Sequence, residues 1–519
     1  MPWEHQLSQL PTDPVAYFCG ALPKGRAACT PHMLFNSAHF LVFMALVLVS
    51  YYALHGNHRL QNRLLLGASY VFYGWASWTY CLILLASTGV NFALGRRIHN
   101  ASEQSSRRRW LWASLAFNLG VLGAFKYFGF FLENIAAVLG IFGMEMTWSL
   151  ELILPIGISF YTFQTLSYTI DIYRKRFEPV DNWLDFALFV AFFPQLLMGP
   201  IERAAHLLPQ IARPRSITTA DYFSGGWLIF LGIYKKVFVA DQIARHCDPL
   251  FAVREVYAGG DVALGAVLFA IQIYADFSGY SDVARGSARM LGFDIIKNFR
   301  APYFARNIQD YWSRWHTSLT MWIRDYVFFP MAISRRWSGR LGAGGMALVT
   351  MVVMGVWHGA TWVFVLWGLY HGALLAIYRR VRPHLFRQTQ YESWFAKRAW
   401  HLVCVLFTFS LVAVSELFFR PVGNEDVSAL SQCGAMCWAL LTNPTTTLAS
   451  YATIVAVVKI CAVLFVLDLA ESWSDREEAV LSWPTLVRRL LQAIMLFSMM
   501  NALSSQETSL GQPFRYFQV

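Results

Sequence analysis

Met346-ALVTMVVMGVWHGATWVFVLWGLYHGALLAI-Tyr378 is one of the longest apolar runs in the chain, and it holds a histidine. His358 follows Met346 by 12 residues, about 18 Å along a helix rising ~1.5 Å per residue. A hydrocarbon core is roughly 30 Å thick, so the spacing predicts an imidazole near the middle of a bilayer. An ionisable group is costly there and tends to line a cavity or pathway. Gly355 and Gly359 flank it and leave room for a backbone, a ligand or a kink. The plainer reading is a histidine satisfied by a neighbouring helix; Trp357-His358-Gly359 at mid-span favours chemistry. His371, nearer the far end of the run, reads as structural.

Composition agrees with a membrane setting. Of 519 residues, 56% are hydrophobic and 14% charged, whereas a soluble protein carries about 25% charged residues. Twenty Trp and 41 Phe suit interfacial aromatic belts. The net charge of +11 is spread over Arg96–Arg97, Arg107–Arg109, Arg174–Arg176, Lys235–Lys236, Arg335–Arg340 and Arg379–Arg398, between apolar runs. Such short basic loops set membrane orientation, and a nucleic-acid surface would need them gathered on one soluble face. Cys81, Cys404 and Cys461 lie within apolar runs as packed thiols, and Cys433 and Cys437 lack a second ligand pair, so no metal site is expected. Residues 1–32 contain five prolines and no long apolar run, so they read as an N-terminal extension, poorly ordered or interfacial.

Apolar stretches recur at 38–54, 64–95, 110–124, 127–145, 150–172, 184–200, 222–240, 260–275, 346–378, 399–418, 447–469 and 486–503. Allowing for short and over-long runs, they predict an all-α polytopic membrane protein with about 11 transmembrane helices. Re-entrant or interfacial helices would complete one membrane domain over 33–519. The 64–95 run has basic residues at both ends, so a kinked hairpin through Gly74-Trp75-Ala76-Ser77 is expected, keeping them on one side. The aromatic- and Arg-rich interruption at 281–317 suggests short helices lying in the interface or lining a cavity.

Three constellations accompany His358. Tyr274-ADFSGYS-Asp282 brings together Tyr274, Asp276, Ser278, Tyr280 and Asp282, with two readings: a helix end closed by Gly279, or a chamber lining. Tyr311-WSRWHTSLTMWIRD-Tyr326 carries Arg314, Trp315, His316 and Asp325. Helical spacing there puts Trp312, Trp315, Leu319 and Trp322 on one face. An amphipathic helix whose histidine meets headgroups is the plainer reading. In Phe193-PQLLMGPIE-Arg203 the prolines break the run and bring Glu202 and Arg203 out at a membrane edge, where the plainer reading is a loop with a surface ion pair.

In this order the groups resemble the membrane-bound O-acyltransferase family, in its bacterial polysaccharide branch typified by alginate O-acetyltransferase. The resemblance runs from about Met33 to Val519. It rests on MLFNSAHFLVF at 33–43, ASYVFYGW at 68–75, FKYFGFF at 125–131, LPIGISFYTFQTLSYTIDIYR at 154–174 and GPIER at 199–203. It continues through YADFSGYSDVARGSARMLGF at 274–293, RWHTSL and WIRDY, GVWHGATWVFVLWGLYHG at 355–372 and the closing FRYFQV at 514–519. The branch opens at the equivalent of Met33. One departure is Ala332-ISRRWSG-Arg340, where related chains tend to carry a Gly-Gly-Asn turn.

The resemblance implies His358 as the catalytic histidine, His316 as the second polar position, and helices around a central tunnel meeting both faces. It implies acetyl-CoA as a cytoplasmic acyl donor, with no permanently bound cofactor. It also implies a periplasmic acetyl-accepting protein or polysaccharide, and a place in the bacterial inner membrane. The chemistry is self-consistent: a thioester is already activated, and apolar surroundings keep an imidazole in the neutral form that accepts a proton. On this reading His358 is the base and His316, with Arg314, positions the donor or the oxyanion. Trp357, Trp315, Asp325, Tyr274, Asp276, Ser278, Tyr280 and Asp282 line or support the chamber. Rival readings are a proton-coupled transporter, which predicts two related halves, and a relative moving D-alanine from a carrier protein to teichoic acid.

Overall fold

The computed structural model describes residues 33–75, 77–144, 154–385, 394–420, 423, 427–447, 451–474 and 478–504. Expectations for the extension 1–32, for Ala76 and for 514–519 lie outside the described residues. Among those residues the secondary structure is helical throughout. Among the described residues nine helices are long and apolar enough to cross a membrane, and there are two shorter apolar ones, Ala38–Ala53 and Ala429–Thr442. The chain is thus a multi-pass membrane protein.

The first helices follow their local signals. α1 (Ala38–Ala53) is capped by the Ser37 hydroxyl, which accepts from the Phe40 amide. α2 (His58–Gly74) and α3 (Trp78–Asn100) are separated at the expected break. Asn62 near the start of α2 bonds Asp185, and Arg96 near the end of α3 meets Asp181 at 3.7 Å. Both basic ends therefore gather at the start of α7 (Trp183–Ala191). α4 (Gln104–Leu122) passes through a wide π turn at Gly123–Tyr127 into α5 (Phe128–Ile141).

Two apolar stretches turn out to be interior. α6 (Ile158–Tyr173) is buried on every side from Ile158 to Thr169, and α7 has only nine residues. Neither has the length of a span; a hydropathy window scores core and lipid alike, since both reward apolar side chains.

α8 (Ala204–Ala212) precedes α9 (Thr219–Ile233), which opens on a reciprocal Thr218–Asp221 capping box. A second π turn, Tyr234–Ala240, continues α9. α10 (Gly259–Met290) then runs without a break through Gly279, so the reading of Gly279 as a helix terminus is corrected. The glycine serves a crossing instead. A Cβ at Gly279 would stand 2.7 Å from the Gly232 carbonyl oxygen, and one at Gly232 only 2.4 Å from that of Gly279.

α11 (Ile308–Arg314) and α12 (Thr317–Ile323) are also not the single amphipathic helix of the sequence reading. The chain breaks at Trp315-His316, where His316 takes the left-handed conformation (φ 41°), sparsely populated by side-chain-bearing residues. A third π turn, Arg324–Phe328, follows.

The opening run divides into α13 (Arg335–His358) and α14 (Trp362–Leu385). His358 is the last residue of α13 and sits at the tip of a helical hairpin, not midway along one helix. This corrects the simple length argument: Gly359, Ala360 and Thr361 make the turn that the run of apolar residues conceals. The arms touch backbone to backbone, since a Cβ on Gly355 would lie 2.2 Å from the Phe364 carbonyl oxygen. α15 (Trp394–Phe419), α16 (Ala429–Thr442), α17 (Tyr451–Ser474) and α18 (Thr485–Ser504) complete the described helices.

Candidate active site

The hairpin tip delivers His358 into a shell of aromatic rings. Its imidazole lies 4.9 Å from Trp357, 5.1 Å from Trp367 and 5.0 Å from Phe419, ring centre to ring centre. His316 lies 6.1 Å from Trp357, with Phe277 at 4.8 Å and Phe160 at 6.4 Å. The two imidazoles thus share one indole as a neighbour. His316 is buried, while His358 keeps part of its surface exposed. His371 joins through Trp367 at 4.7 Å and Trp312 at 5.1 Å, and its Nδ1 has no hydrogen-bond partner among the described residues.

The tip is held by α4 and α5. The last carbonyls of a helix lack intrahelical donors. Here the Lys126 ammonium donates to the Trp357 carbonyl and the Tyr127 hydroxyl to that of Val356 at 2.8 Å. Both side chains come from the first π turn, and Lys126 also lies over the Trp357 ring at 5.5 Å. Trp362, just past the turn, donates to Asn134 on α5 at 3.0 Å. Lys126, His316 and His371 are all within electrostatic range of His358. A lysine set between two closely spaced apolar runs was the signal that could have singled out Lys126.

His316 is set by a loop. Its Nδ1 lies 3.4 Å from Asn298 Oδ1, and the Thr317 amide donates to the Asn298 carbonyl at 3.0 Å. Burial pushes the imidazole down to about 3, so the ring is neutral at any physiological pH. Nothing in the sequence marks Asn298, a loop residue 18 positions before the histidine.

The remaining expected residues divide among other partners. On α10 Asp276 pairs with Lys236 at 2.9 Å and Asp282 with Lys235 at 2.7 Å, both lysines coming from the second π turn. Tyr274 donates to Asp468 at 3.0 Å, and Tyr280 stacks on Phe35 at 4.4 Å. Ser278 Oγ has no hydrogen-bond partner among the described residues. This stretch therefore contributes Phe277 and Ser281 to the surroundings of His316, while its carboxylates serve buried ion pairs with α9's extension. Arg314 is held by Asp310 at 2.8 Å, and Trp315 packs on Phe299 at 5.0 Å. Asp325 meets Arg203 at 3.2 Å and Arg324 at 2.9 Å.

Glu202 corrects another expectation. It is fully buried, not a surface group, and bonds His206 Nδ1 at 2.7 Å and the Ile296 amide. Its neighbour Arg203 makes the ion pair, with Asp325. Burial raises the Glu202 carboxyl, and the bond to Glu202 raises His206.

Comparison with known proteins decides the family. The family model described as MBOAT, membrane-bound O-acyltransferase family, matches residues 65–417, about two thirds of the chain, including His316, Trp357, His358 and Trp367. The chain belongs to the membrane-bound O-acyltransferases. It is an O-acyltransferase, acting on an acyl-donor substrate. A protein of Azotobacter vinelandii named "Probable alginate O-acetylase AlgI" is 39% identical over 403 residues, 76% of each chain. A Pseudomonas putida protein of the same name is 34% identical over 509 residues, 94% of this chain and all of its own. A peptidoglycan O-acetyltransferase of Helicobacter pylori is 29% identical over 433 residues, 76% of this chain and 78% of its own.

Proposed function

We propose that this acyltransferase moves an acetyl group from cytoplasmic acetyl-CoA, in the bacterial inner membrane, for O-acetylation of an exported polysaccharide of the alginate or cellulose kind. The observation that carries the reading is the pair of imidazoles, His316 and His358, both against Trp357 at the tip of a hairpin braced by Lys126. The names of the relatives support acetyl as the group moved and a cell-surface polymer as its destination.

The acceptor hydroxyl, on a periplasmic carrier or on the polymer itself, attacks the thioester carbonyl. His358 takes the hydroxyl proton as the C–O bond forms. The C–S bond breaks, and the proton passes to the departing sulfur, giving free CoA thiol and an ester. Such base assistance supplies about 10²–10⁴-fold, and holding the two reactants at one point supplies more. Trp357, Trp315 and Phe277 keep the meeting point apolar. Asp276, Asp282, Tyr274, Tyr280, Ser278, Arg314 and Asp325 act from behind it, by fixing the helices and loop that carry the rings.

The test is transfer of labelled acetyl from acetyl-CoA to extracted polymer in membranes. A His358→Ala protein that inserts normally is expected to lose transfer; full activity would end the assignment. Labelling from a D-alanyl carrier protein in place of acetyl-CoA would overturn the donor.

A further inference from the structure

The carboxamide of Asn298 is buried behind His316, and its orientation is dictated by its surroundings. The Ser318 backbone amide, which can only donate, faces Asn298 Oδ1 at 3.3 Å. On the other side Asn298 Nδ2 donates to Ser281 Oγ at 3.3 Å. Oxygen and nitrogen are therefore fixed by an obligate donor. His316 Nδ1 faces that same oxygen, so Nδ1 must carry the hydrogen. A neutral ring with hydrogen on Nδ1 has a bare lone pair on Nε2. That Nε2 is buried and has no hydrogen-bond partner among the described residues.

We propose that Asn298 is a positioning residue that fixes the tautomer of His316, making Nε2 of His316 a hydrogen-bond acceptor beside His358. This rests on the functional reading above. It changes the part expected of His316 from the sequence, to position the donor or the oxyanion: a bare Nε2 cannot donate to an oxyanion. It accepts, from the incoming hydroxyl or from the proton that His358 has taken up. The left-handed backbone at His316 serves the same end, since the chain must turn there for Nδ1 and the amides of Thr317 and Ser318 all to meet Asn298.

The titratable or charged groups on the segments around the ring include His358 on α13, Tyr274, Asp276, Tyr280, Asp282 and Arg285 on α10, Tyr161 on α6, Lys297 in the loop, Glu202 bonded to that loop, and Lys126. Asp276 is engaged by Lys236 and Lys297 by Glu471.

Asn298→Asp keeps the shape and the accepted hydrogen but adds a negative charge, which favours the imidazolium. The acid limb of kcat against pH is then expected to move up by about 1–3 units. Asn298→Leu removes the acceptor and is expected to lower kcat about tenfold or more with the acetyl-CoA KM little changed. A wild-type pH profile for the Asp variant, or a wild-type kcat for the Leu variant, overturns the proposal. Should either variant fail to insert, histidine ¹³C and ¹⁵N shifts of the unaltered protein, assigned by difference against His316→Gln, read the tautomer directly. An Nδ1–H ring is expected, and an Nε2–H ring refutes it. The tautomer is independent of turnover, so wild-type membranes with no acetyl transfer would sink the proposed function and leave this measurement standing.

Discussion

Gly355→Ala puts the hairpin under a defined load. The added Cβ would lie 2.2 Å from the Phe364 carbonyl oxygen, and ordinary contact begins at 3.4 Å. The arms must separate by about 1.2 Å, and because the obstacle is backbone, no side-chain rotation relieves it. His358 lies three residues on, at the tip, and takes most of that displacement. A reacting group misplaced by ~1 Å costs about 10²-fold in rate, and overpacking of this kind costs about 1–3 kcal/mol of stability. Gly344→Ala on the same helix is the matched control, since its Cβ would meet the Ala376 side chain at 3.5 Å, an ordinary contact. Both variants would be assayed for membrane accumulation, thermal stability in detergent and acetyl transfer per inserted molecule. The reasoning predicts near-normal behaviour for Gly344→Ala and loss of turnover, beyond any loss of protein, for Gly355→Ala. A fully active Gly355→Ala protein would show that the hairpin spacing does not set the position of His358.

Two further outcomes follow from buried charge. His316 titrates at about 3 in the folded protein against 6.5 when unfolded, so below pH 6.5 the unfolded chain binds a proton that the native one does not. Stability then falls by about 1.4 kcal/mol per pH unit until pH 3, roughly 2 kcal/mol by pH 5. The drop in thermal midpoint between pH 7.5 and 5 should accordingly be smaller in His316→Gln, and an equal drop refutes it. Lys235→Met leaves Asp282 buried without its cation, at a cost of about 3–5 kcal/mol, whereas Lys235→Met with Asp282→Leu removes both charges and recovers most of that. A double variant that accumulates no better than the single one would show the pair is not the source of the loss.

Much of the architecture is written in periodicity and punctuation: the break after Gly74 and the long apolar helices. What hydropathy cannot express is which apolar surface faces protein, so α6 was indistinguishable from a span. Nor can it see a turn made of Gly359-Ala360-Thr361, because none of the three is polar enough to interrupt the run. His316 and His358 stand out because titratable rings are rare among apolar and aromatic neighbours. The carboxylates of 274–282 also stand out, but their partners Lys235 and Lys236 are distant in sequence, so the stretch read as a site when it is largely a packing seam. Lys126 carried a visible signal, a lysine set between two closely spaced apolar runs. Asn298 carried none, since its role comes only from the two hydrogen bonds that pin its amide.

The three π turns, at Gly123–Tyr127, Tyr234–Ala240 and Arg324–Phe328, hold Lys126, Lys235 with Lys236, and Asp325 respectively. A π turn accommodates one extra residue without ending the helix, and removing a residue from an α-helix rotates everything beyond it by about 100°. At these places the reading frame of the helix is therefore itself a structural element. Losing a single codon there would withdraw a brace or ion pair while leaving every apolar side chain and every helix length nearly intact. In this enzyme a deletion too small to register in composition can disable more than most substitutions.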